Sequence, residues 1–340
     1  MDPLSHGLLG ASLSQSSTTH KKFIVSAGIV GFLSAMAPDL DILIRSEQDP
    51  LLFFEYHRQF THSLFFIPFG ALLCAGLFYF LFKSKTVLTF KEIWLYATLG
   101  YATHGLLDSC TSYGTLLFWP FSYERIAWNN VSIIDPLFTL PILLLLLLSM
   151  LLKRISLARM GLLWALLYLG FGVIQHHRAE ELAMQLALER GHVIEKIQTK
   201  PTFGNLFLWK AVYASGGYFY TDGIRLYPST KIYEGGRIKK LDVIKDFPWL
   251  NKDSQQAKDI ARFSWFSAGF IALSPNNPNQ IIDIRYSMLP NEIEGLWGIE
   301  LDQEAENADH IKYITNRSVS KKKISGFMGA TSSTLKHKLM

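Results

Sequence analysis

The feature that most limits the fold of this chain is the uneven distribution of its apolar residues. Residues 1–177 contain long apolar runs with few charges, whereas residues 178–340 have the composition of a soluble protein. A transmembrane helix needs roughly 20 mainly apolar residues. Five segments approach this length: Phe23–Ala37, Leu64–Phe82, Ile93–Leu107, Leu137–Leu152 and Met160–Ile174. The sequence therefore predicts a multi-pass α-helical membrane domain over residues 1–177.

Charges between the apolar segments predict the topology. The first and third segments are short and could also be buried core helices. The basic residues fall into three connections: Lys21 and Lys22; Lys83, Lys85 and Lys91; and Lys153, Arg154 and Arg159. Glu92 is the only acid among them, so the positive-inside rule places all three connections in the cytoplasm and favours reading all five segments as spans. Connections 38–63 and 108–136, together with residues 178–340, are then expected on the other side.

His6 reaches that outer face only if residues 3–14 enter the membrane from outside. This segment is apolar and carries small residues suited to close helix packing. Because it is short, we expect a re-entrant segment or a buried half-span.

The second half of the chain is predicted to be a smaller α+β, mainly β, domain over residues 178–315. A helix over His176–Gly191 is expected to continue the last span. Six β-rich runs follow: Val193–Thr199, Leu206–Ala214, Gly217–Tyr220, Phe263–Leu273, Ile281–Met288 and Leu296–Leu301. Turn residues such as Gly216-Gly217, Gly235-Gly236 and 275–278 separate them. This extracytoplasmic domain would cover the membrane site or select substrate.

The net charge of +5 comes from the end of the chain. Residues 316–340 hold six basic residues and no acid, so we expect a disordered basic tail that could contact anionic lipid. No basic, aromatic-rich surface is apparent elsewhere, which argues against a nucleic-acid partner. The two cysteines, Cys74 and Cys110, do not suggest a disulfide framework. The first residues lack the pattern of a cleaved signal peptide.

Histidines and aspartates cluster at the edges of the apolar runs. In chain order they are His6, Asp39 and Asp41, His57 and His62, His104 and Asp108, and Asp135. Ionisable groups next to hydrocarbon are costly unless each has a partner. A shared cation would supply that partner, and the predicted topology brings these groups to one face of the membrane.

Each pair also has a simpler interpretation. His104 and Asp108 are four residues apart and share one helix face, where they could bind a metal or only hydrogen-bond at the helix end. Asp39 and Asp41 could project to one side and share a cation, or they could be ordinary solvated aspartates at a helix end.

His57 and His62 flank Arg58 just before an apolar run. They could bind metal while Arg58 holds an anionic group of the substrate, or all three could lie in a surface loop. Asp135 precedes Pro136 and could simply cap the next helix.

Taken together, the set predicts a site for a divalent transition metal. Mixed histidine and carboxylate ligation suits Zn²⁺, with Mn²⁺ or Fe²⁺ as alternatives. The expected metal ligands are His6, Asp39, His57, His62, His104 and Asp108. Arg58, Asp41 and Asp135 are expected in catalytic roles. Because these groups outnumber the ligands of one ion, either two ions bind or some groups orient the others.

Five short motifs carry a resemblance to a known family. They are Met-Asp-Pro-Leu-Ser-His at 1–6, Pro-Asp-Leu-Asp at 38–41, His-Arg-x-x-Thr-His-Ser at 57–63, His-x-x-x-Asp at 104–108 with Thr-Ser-Tyr-Gly at 111–114, and Asp-Pro at 135–136. Together they resemble the bacterial family of inner-membrane, metal-dependent hydrolases. The resemblance covers most of residues 1–150 and continues into 201–209 and 282–286. Gln59 stands where that family has a small residue, a departure that leaves the ligands untouched.

The resemblance implies a multi-pass protein of the bacterial inner membrane and a hydrolase. The expected reaction is metal-assisted attack of water on an amphiphilic or lipid-linked ester or phosphoester, with membrane lipid around the site. Two alternatives stay open. The same residues could carry a metal ion in transport, although the spans lack ionisable groups midway, or they could form a structural polar cluster without catalysis.

Overall fold

The structure, a computed structural model, describes residues 1–82 and 88–316. Lys83 and Lys85, which enter the topology prediction, and the predicted basic tail from residue 317 on lie outside the described residues. The chain divides into two compact units. Unit 1 comprises Met1–Ile44, Tyr56–Ile174 and Phe203–Asn205, and unit 2 comprises Arg45–Glu55, Gln175–Thr202 and the chain from Leu206 on.

The first unit is helical. In chain order the first seven helices are α1 (Pro3–Ser17), α2 (Ile24–Met36), α3 (Leu52–Tyr56), α4 (Ile67–Phe82), α5 (Phe90–Ser109), α6 (Pro136–Leu152) and α7 (Ile155–Glu189). Residues 52–55 of α3 and 175–189 of α7 belong to unit 2. The 3₁₀ turns are Lys21–Phe23, Ala37–Leu43 and Phe60–His62. Every apolar segment predicted as a span overlaps one of these helices, and α7 includes most of the helix predicted over His176–Gly191.

Side-chain caps form at the starts of α1 and α5. The Asp2 carboxylate accepts a hydrogen bond from the Ser5 backbone N–H at 3.0 Å, with Pro3 opening α1. Thr89 and Glu92 form a capping box at the start of α5, in which each side chain accepts from the other residue's backbone N–H. These caps satisfy backbone donors that have no partner within the helix.

Fewer helices meet the length and hydropathy of a full span than the five predicted. Among the described residues, Lys21–Leu43 and Ile155–Glu189 are long and apolar enough to cross a membrane. Leu52–His62 and Ile67–Leu81 qualify only as a pair bent by 84°, which makes three candidates at most. Helix α6 is apolar but has 17 residues. Helix α5 is less apolar because it carries polar and charged side chains along its length.

Large apolar side chains remain exposed on α4, α6 and α7. Leu73 and Phe80 of α4 are 70% and 83% exposed, and Leu151 of α6 is 77% exposed. Leu167 of α7 is 62% exposed. Such extended apolar surface is unfavourable in water and is expected on helices that contact lipid.

Glycines let α1, α2 and α5 pack at very short distance. A Cβ atom added to Gly100 of α5 would lie 2.3 Å from the Gly31 carbonyl oxygen of α2. One added to Gly10 of α1 would lie 2.4 Å from the Ala35 Cβ atom. The close packing expected from the small residues of α1 is therefore present, and it fixes the position of α5 against the C-terminal end of α2.

The second unit contains two four-stranded antiparallel sheets. The first has the order β1 (Lys196–Pro201), β2 (Leu208–Ser215), β3 (Tyr218–Arg225) and β4 (Lys231–Lys239). The second has the order β5 (Ile271–Ser274), β6 (Asn277–Asp283), β7 (Trp297–Glu300) and β8 (Lys312–Thr315). Helices α8 (Val243–Asp246) and α9 (Gln255–Phe266) connect them. The mainly β character expected of this region is confirmed.

Two details of the β prediction are wrong. Gly235 and Gly236 lie inside β4 rather than in a turn. A Cβ atom on Gly235 would lie 2.0 Å from the Thr221 carbonyl oxygen, so glycine is needed there for close backbone approach. The run Phe263–Leu273 is not one strand, because α9 continues to Phe266 and the strand starts only at Ile271. The predicted turn at Gly216-Gly217 is confirmed, with positive φ at both glycines.

Candidate metal centre

Four side chains of unit 1 converge on one point. They come from the 3₁₀ turns at 37–43 and 60–62 and from α5, and they are Asp39, His62, His104 and Asp108. One ligand atom from each lies within 4.8 Å of the other three. Asp39 keeps 22% of its side-chain exposure, whereas the other three are buried. Asp39 is therefore the only one of the four side chains with exposed surface.

The distances between these atoms fit a shared ion. The Nε2 atoms of His62 and His104 are 2.9 Å apart. Asp39 Oδ1 lies 3.4 Å from His62 Nε2 and 3.3 Å from His104 Nε2. Asp108 Oδ2 lies 3.4 Å and 3.7 Å from the same two atoms. Atoms that each bind one ion at about 2.0–2.2 Å in a tetrahedron are roughly 3.4 Å apart.

The backbone of α2 determines the tautomer of His104. His104 Nδ1 lies 2.5 Å from the Ala35 carbonyl oxygen, which can only accept a hydrogen bond. Nδ1 must therefore carry the hydrogen and donate it. In the neutral ring this leaves a lone pair on Nε2, which points at the other three groups.

A short hydrogen-bond chain determines the tautomer of His62. The Thr61 hydroxyl donates to Asp41 Oδ2 at 2.8 Å, so its oxygen is left to accept from His62 Nδ1 at 3.0 Å. His62 Nδ1 also lies 3.2 Å from Asp41 Oδ2. The hydrogen of the neutral ring is again on Nδ1, and the Nε2 lone pair faces His104. Carboxylates that orient a ligand histidine in this way are common behind metal sites.

A bound metal ion would satisfy all four converging groups at once. Two imidazole nitrogens and two carboxylate oxygens face one another, and Asp108 Oδ2 also has the Arg58 Nε atom 3.1 Å away. A single proton can join only two of these atoms, whereas a metal ion can bind all four. The residues present therefore fit the divalent transition metal expected from the sequence.

Asp41 lies behind the converging group rather than in it. Its oxygens accept from His57 Nδ1 at 2.7 Å, the Arg58 backbone N–H at 3.1 Å and the Thr61 hydroxyl. Of the two alternatives for Asp39 and Asp41, the geometry does not favour a shared cation, because Asp39 faces Nε2 of His62 whereas Asp41 faces Nδ1 on the opposite side of that ring. Asp41, His57 and His62 form a second group whose ligand atoms lie within 4.8 Å of one another.

Arg58 contacts Asp108 and is buried. Its Nε atom lies 3.1 Å from Asp108 Oδ2, and its Nη1 atom donates to the Thr111 hydroxyl at 3.1 Å. The guanidinium also lies over the Tyr113 ring at 5.1 Å. The backbone of Arg58 has a φ of +68°, which costs a non-glycine residue free energy and is typical of functional sites. Arg58 thus supplies positive charge beside the carboxylate.

His6 approaches the centre through Asp108. His6 Nε2 lies 3.1 Å from Asp108 Oδ1, an atom that the Met1 amino group also contacts. The His6 ring stacks on the His104 ring with centroids 3.7 Å apart. His6 therefore contacts two members of the converging group without joining it.

Asp135 caps a helix. Its Oδ1 atom accepts from the backbone N–H groups of Leu137 and Phe138 at 3.1 and 3.4 Å, and the Tyr168 hydroxyl donates to the same carboxylate at 2.9 Å. These are the contacts of an N-cap followed by proline, the structural alternative weighed for this residue. The catalytic role expected for Asp135 stays a prediction.

Three participants were not identified from the sequence. They are the Ala35 carbonyl, the Thr111 hydroxyl and the Thr61 hydroxyl as a hydrogen-bonding group. A backbone carbonyl leaves no signal in a sequence. The threonines lie inside the 57–63 and 111–114 motifs, which was the only signal available for them.

Gly105 offers a test of the geometry that leaves every ligand in place. A Cβ atom on Gly105 would lie 2.0 Å from the His62 carbonyl oxygen, so Gly105→Ala must displace the turn that carries His62. We expect metal affinity to fall by about tenfold or more, because ligand orientation is lost. Equilibrium dialysis of the purified protein against Zn²⁺ measures this.

Gly76→Ala in α4 is the matched control, since no atom lies within 4 Å of its added Cβ. We expect this variant to bind Zn²⁺ like the wild type. Equal affinity of the Gly105→Ala variant and the wild type would contradict the close approach of α5 to His62.

Comparisons with known proteins agree with a membrane location. Residues 1–179 match the model of a family described as YdjM inner membrane protein. The chain is 33% identical over 107 residues to "Inner membrane protein YbcI" of Escherichia coli K12, a stretch that covers 30% of this chain and 60% of that protein. It is 26% identical over 108 residues to "Uncharacterized protein YfhP" of Bacillus subtilis 168, covering 32% of each. The chain thus spans less than two thirds of either relative. No solved structure matches significantly.

Proposed function

The chain belongs to the YdjM inner membrane protein family, and from this premise we propose that it is a membrane-embedded metal-dependent hydrolase. The ion would be held by Asp39, His62, His104 and Asp108. The observation that carries the proposal is the convergence of two imidazole nitrogens and two carboxylate oxygens, which all lie within 4.8 Å of one another. The substrate would be an amphiphilic or lipid-linked ester or phosphoester, because the unit that holds the site exposes apolar side chains on α4, α6 and α7 that suit contact with lipid.

The ligand set favours Zn²⁺, with Mn²⁺ or Fe²⁺ as alternatives. When bound, such an ion acidifies water and polarises the scissile bond, which are the two needs of hydrolysis at neutral pH. The protein's own residues orient the ligands. Ala35 and Asp41 hold the two imidazoles with their Nε2 atoms inward, and Asp39 lies on the side open to solvent and substrate.

Arg58 and Asp41 are proposed to act as positioning residues. The Arg58 guanidinium holds Asp108 in its charged form by a contact of 3.1 Å, so it is already engaged before an anionic substrate arrives. The Asp41 carboxylate accepts hydrogen bonds from His57, Thr61 and the Arg58 backbone, which leaves it little capacity to act as a general base.

We propose that one ion rather than two binds at this centre. A second ion held by Asp41, His57 and His62 would have to displace the hydrogen bonds that Asp41 accepts, and it would need the His62 Nδ1 atom that already donates one. The alternative, a second ion held by Asp41, His57 and His62, predicts a second equivalent of metal that depends on His57.

We further propose that the first unit crosses the membrane several times with its basic connections in the cytoplasm and the second unit outside it. Support comes from Lys21 and Lys22 before α2, from Lys153 and Arg154 after α6, and from the exposed apolar side chains of α4, α6 and α7.

Cysteine labelling tests this topology. In a chain carrying Cys74→Ser and Cys110→Ala, we expect Asp253→Cys in the second unit to react with a membrane-impermeant maleimide in intact spheroplasts. Lys153→Cys, exposed at the end of α6, should react only after the membrane is disrupted. The reverse pattern would contradict the orientation.

The experiment that tests the proposed activity is a hydrolysis screen on phosphoester and acyl-ester panels with full-length protein in detergent. We expect Zn²⁺-dependent turnover by the wild type and a loss of at least about a hundredfold in the His104→Ala variant. Equal turnover by both proteins, or none by the metal-loaded wild type on either panel, would contradict it.

A further inference from the structure

A second group of metal-ligating side chains lies on α7, in its part that belongs to unit 2. His176, His177 and Glu180 each offer one ligand atom, and these atoms lie within 4.8 Å of one another. On a helix, residues i and i+4 lie on one face, which brings His176 next to Glu180, and His177 is three residues before Glu180. This group shares no residue with the centre of unit 1.

His176 is held in a defined orientation. The ring packs against Trp209 of β2 with centroids 5.9 Å apart, which limits its orientation. In the neutral ring, one of the two nitrogens keeps a lone pair that can bind a metal ion.

The exposure of the three side chains leaves an ion accessible. His177 is exposed, and His176 and Glu180 are half-buried. Ligands from one helical turn can occupy only one side of an ion, so the opposite side would keep water or accept a donor from another molecule. Two imidazoles and a carboxylate suit Zn²⁺ and the similar ions Co²⁺, Ni²⁺ and Cu²⁺ rather than Ca²⁺.

The other histidines of unit 2 are already paired. His192 Nδ1 lies 2.9 Å from the Tyr213 hydroxyl, and His310 Nδ1 lies 2.8 Å from Asp259 Oδ2. Within the described residues of this unit, only the α7 histidines combine with each other and with a carboxylate as a candidate ligand group. We propose that His176, His177 and Glu180 form a second binding site for a divalent transition metal.

Titration with Co²⁺ tests the proposal, because this ion reports nitrogen ligation through its visible absorption. Full-length protein in detergent is compared with the His177→Ala and Glu180→Gln variants, whose exposed or half-buried side chains can change without disturbing the fold. We expect each variant to weaken one equivalent of Co²⁺ by about tenfold or more. Glu181→Gln is the matched control, since this exposed neighbour changes charge equally on another face of the helix.

Repeating the titration with His104→Ala separates the two sites. In that protein we expect the equivalent of Co²⁺ bound on α7 to remain. Its binding should depend on His177 and Glu180 as before, even if the centre of unit 1 no longer binds an ion. The proposal is overturned if His177→Ala and Glu180→Gln leave Co²⁺ stoichiometry and affinity unchanged. It is also overturned if Glu181→Gln weakens binding as much, because the ion would then respond only to general negative charge.

Discussion

Chelation is expected to lower the apparent unfolding temperature of the wild-type protein by on the order of 10 °C. A ligand at a thousand times its Kd stabilises the folded state by about 4 kcal/mol, and each kcal/mol corresponds to roughly 2–4 °C for a domain of about 150–250 residues. Removal of the ion also leaves two imidazole nitrogens and two carboxylates facing one another without the charge that binds all four. Thermal unfolding in detergent with and without a chelator measures the change.

The double variant His62→Ala/His104→Ala is the control for chelation. In a His177→Ala background, which removes any ion on α7, it lacks both nitrogen ligands, so we expect its unfolding temperature to be low already and unaffected by a chelator. A wild type that unfolds at the same temperature with and without chelator would mean that the four acceptors are satisfied without a metal.

Asp108→Ala is expected to destabilise the protein by roughly 3–5 kcal/mol. The Arg58 guanidinium is buried and its Nε atom lies 3.1 Å from Asp108 Oδ2. Removing one partner of a buried ion pair leaves the other charge desolvated without compensation. Denaturant unfolding in detergent should therefore show a large fall in the free energy of unfolding, together with loss of bound metal.

Two further variants separate charge from size. Asp108→Asn keeps the volume and removes the charge, so most of the loss should remain. Asp253→Ala removes an exposed carboxylate and should change the free energy of unfolding by less than about 0.5 kcal/mol. If Asp108→Ala changed stability as little as Asp253→Ala, the buried ion pair would not have the importance assigned to it.

The helical periodicity of the sequence was enough to predict one half of the centre. The four-residue spacing of His104 and Asp108 placed both on one face of α5, and both side chains are buried there. The hydropathy division between the two halves of the chain likewise anticipated helices first and sheets second. Patterns of this kind depend on local spacing, which a sequence contains in full.

The other half of the centre depended on contacts that local spacing does not encode. Whether Asp39 and Asp41 share a cation is decided by the 3₁₀ turn and by the positions of His57 and His104, which are distant in sequence.

Strand β4 was missed because most of its side chains are exposed and show no apolar alternation. Residues 45–55 were assigned to a connection between spans, yet Arg262 binds Asp49 and Glu55 in unit 2, a pairing across more than two hundred residues.

Elemental analysis of the purified full-length protein tests the central claim most directly. The comparison is made in a His177→Ala background, which removes any ion on α7. With Asp39, His62, His104 and Asp108 around one ion, the protein with an intact centre should contain one equivalent of Zn²⁺, Mn²⁺ or Fe²⁺. The His62→Ala/His104→Ala variant should lack it. A metal-free wild type that cannot be loaded, or equal metal in both proteins of that background, would contradict the account.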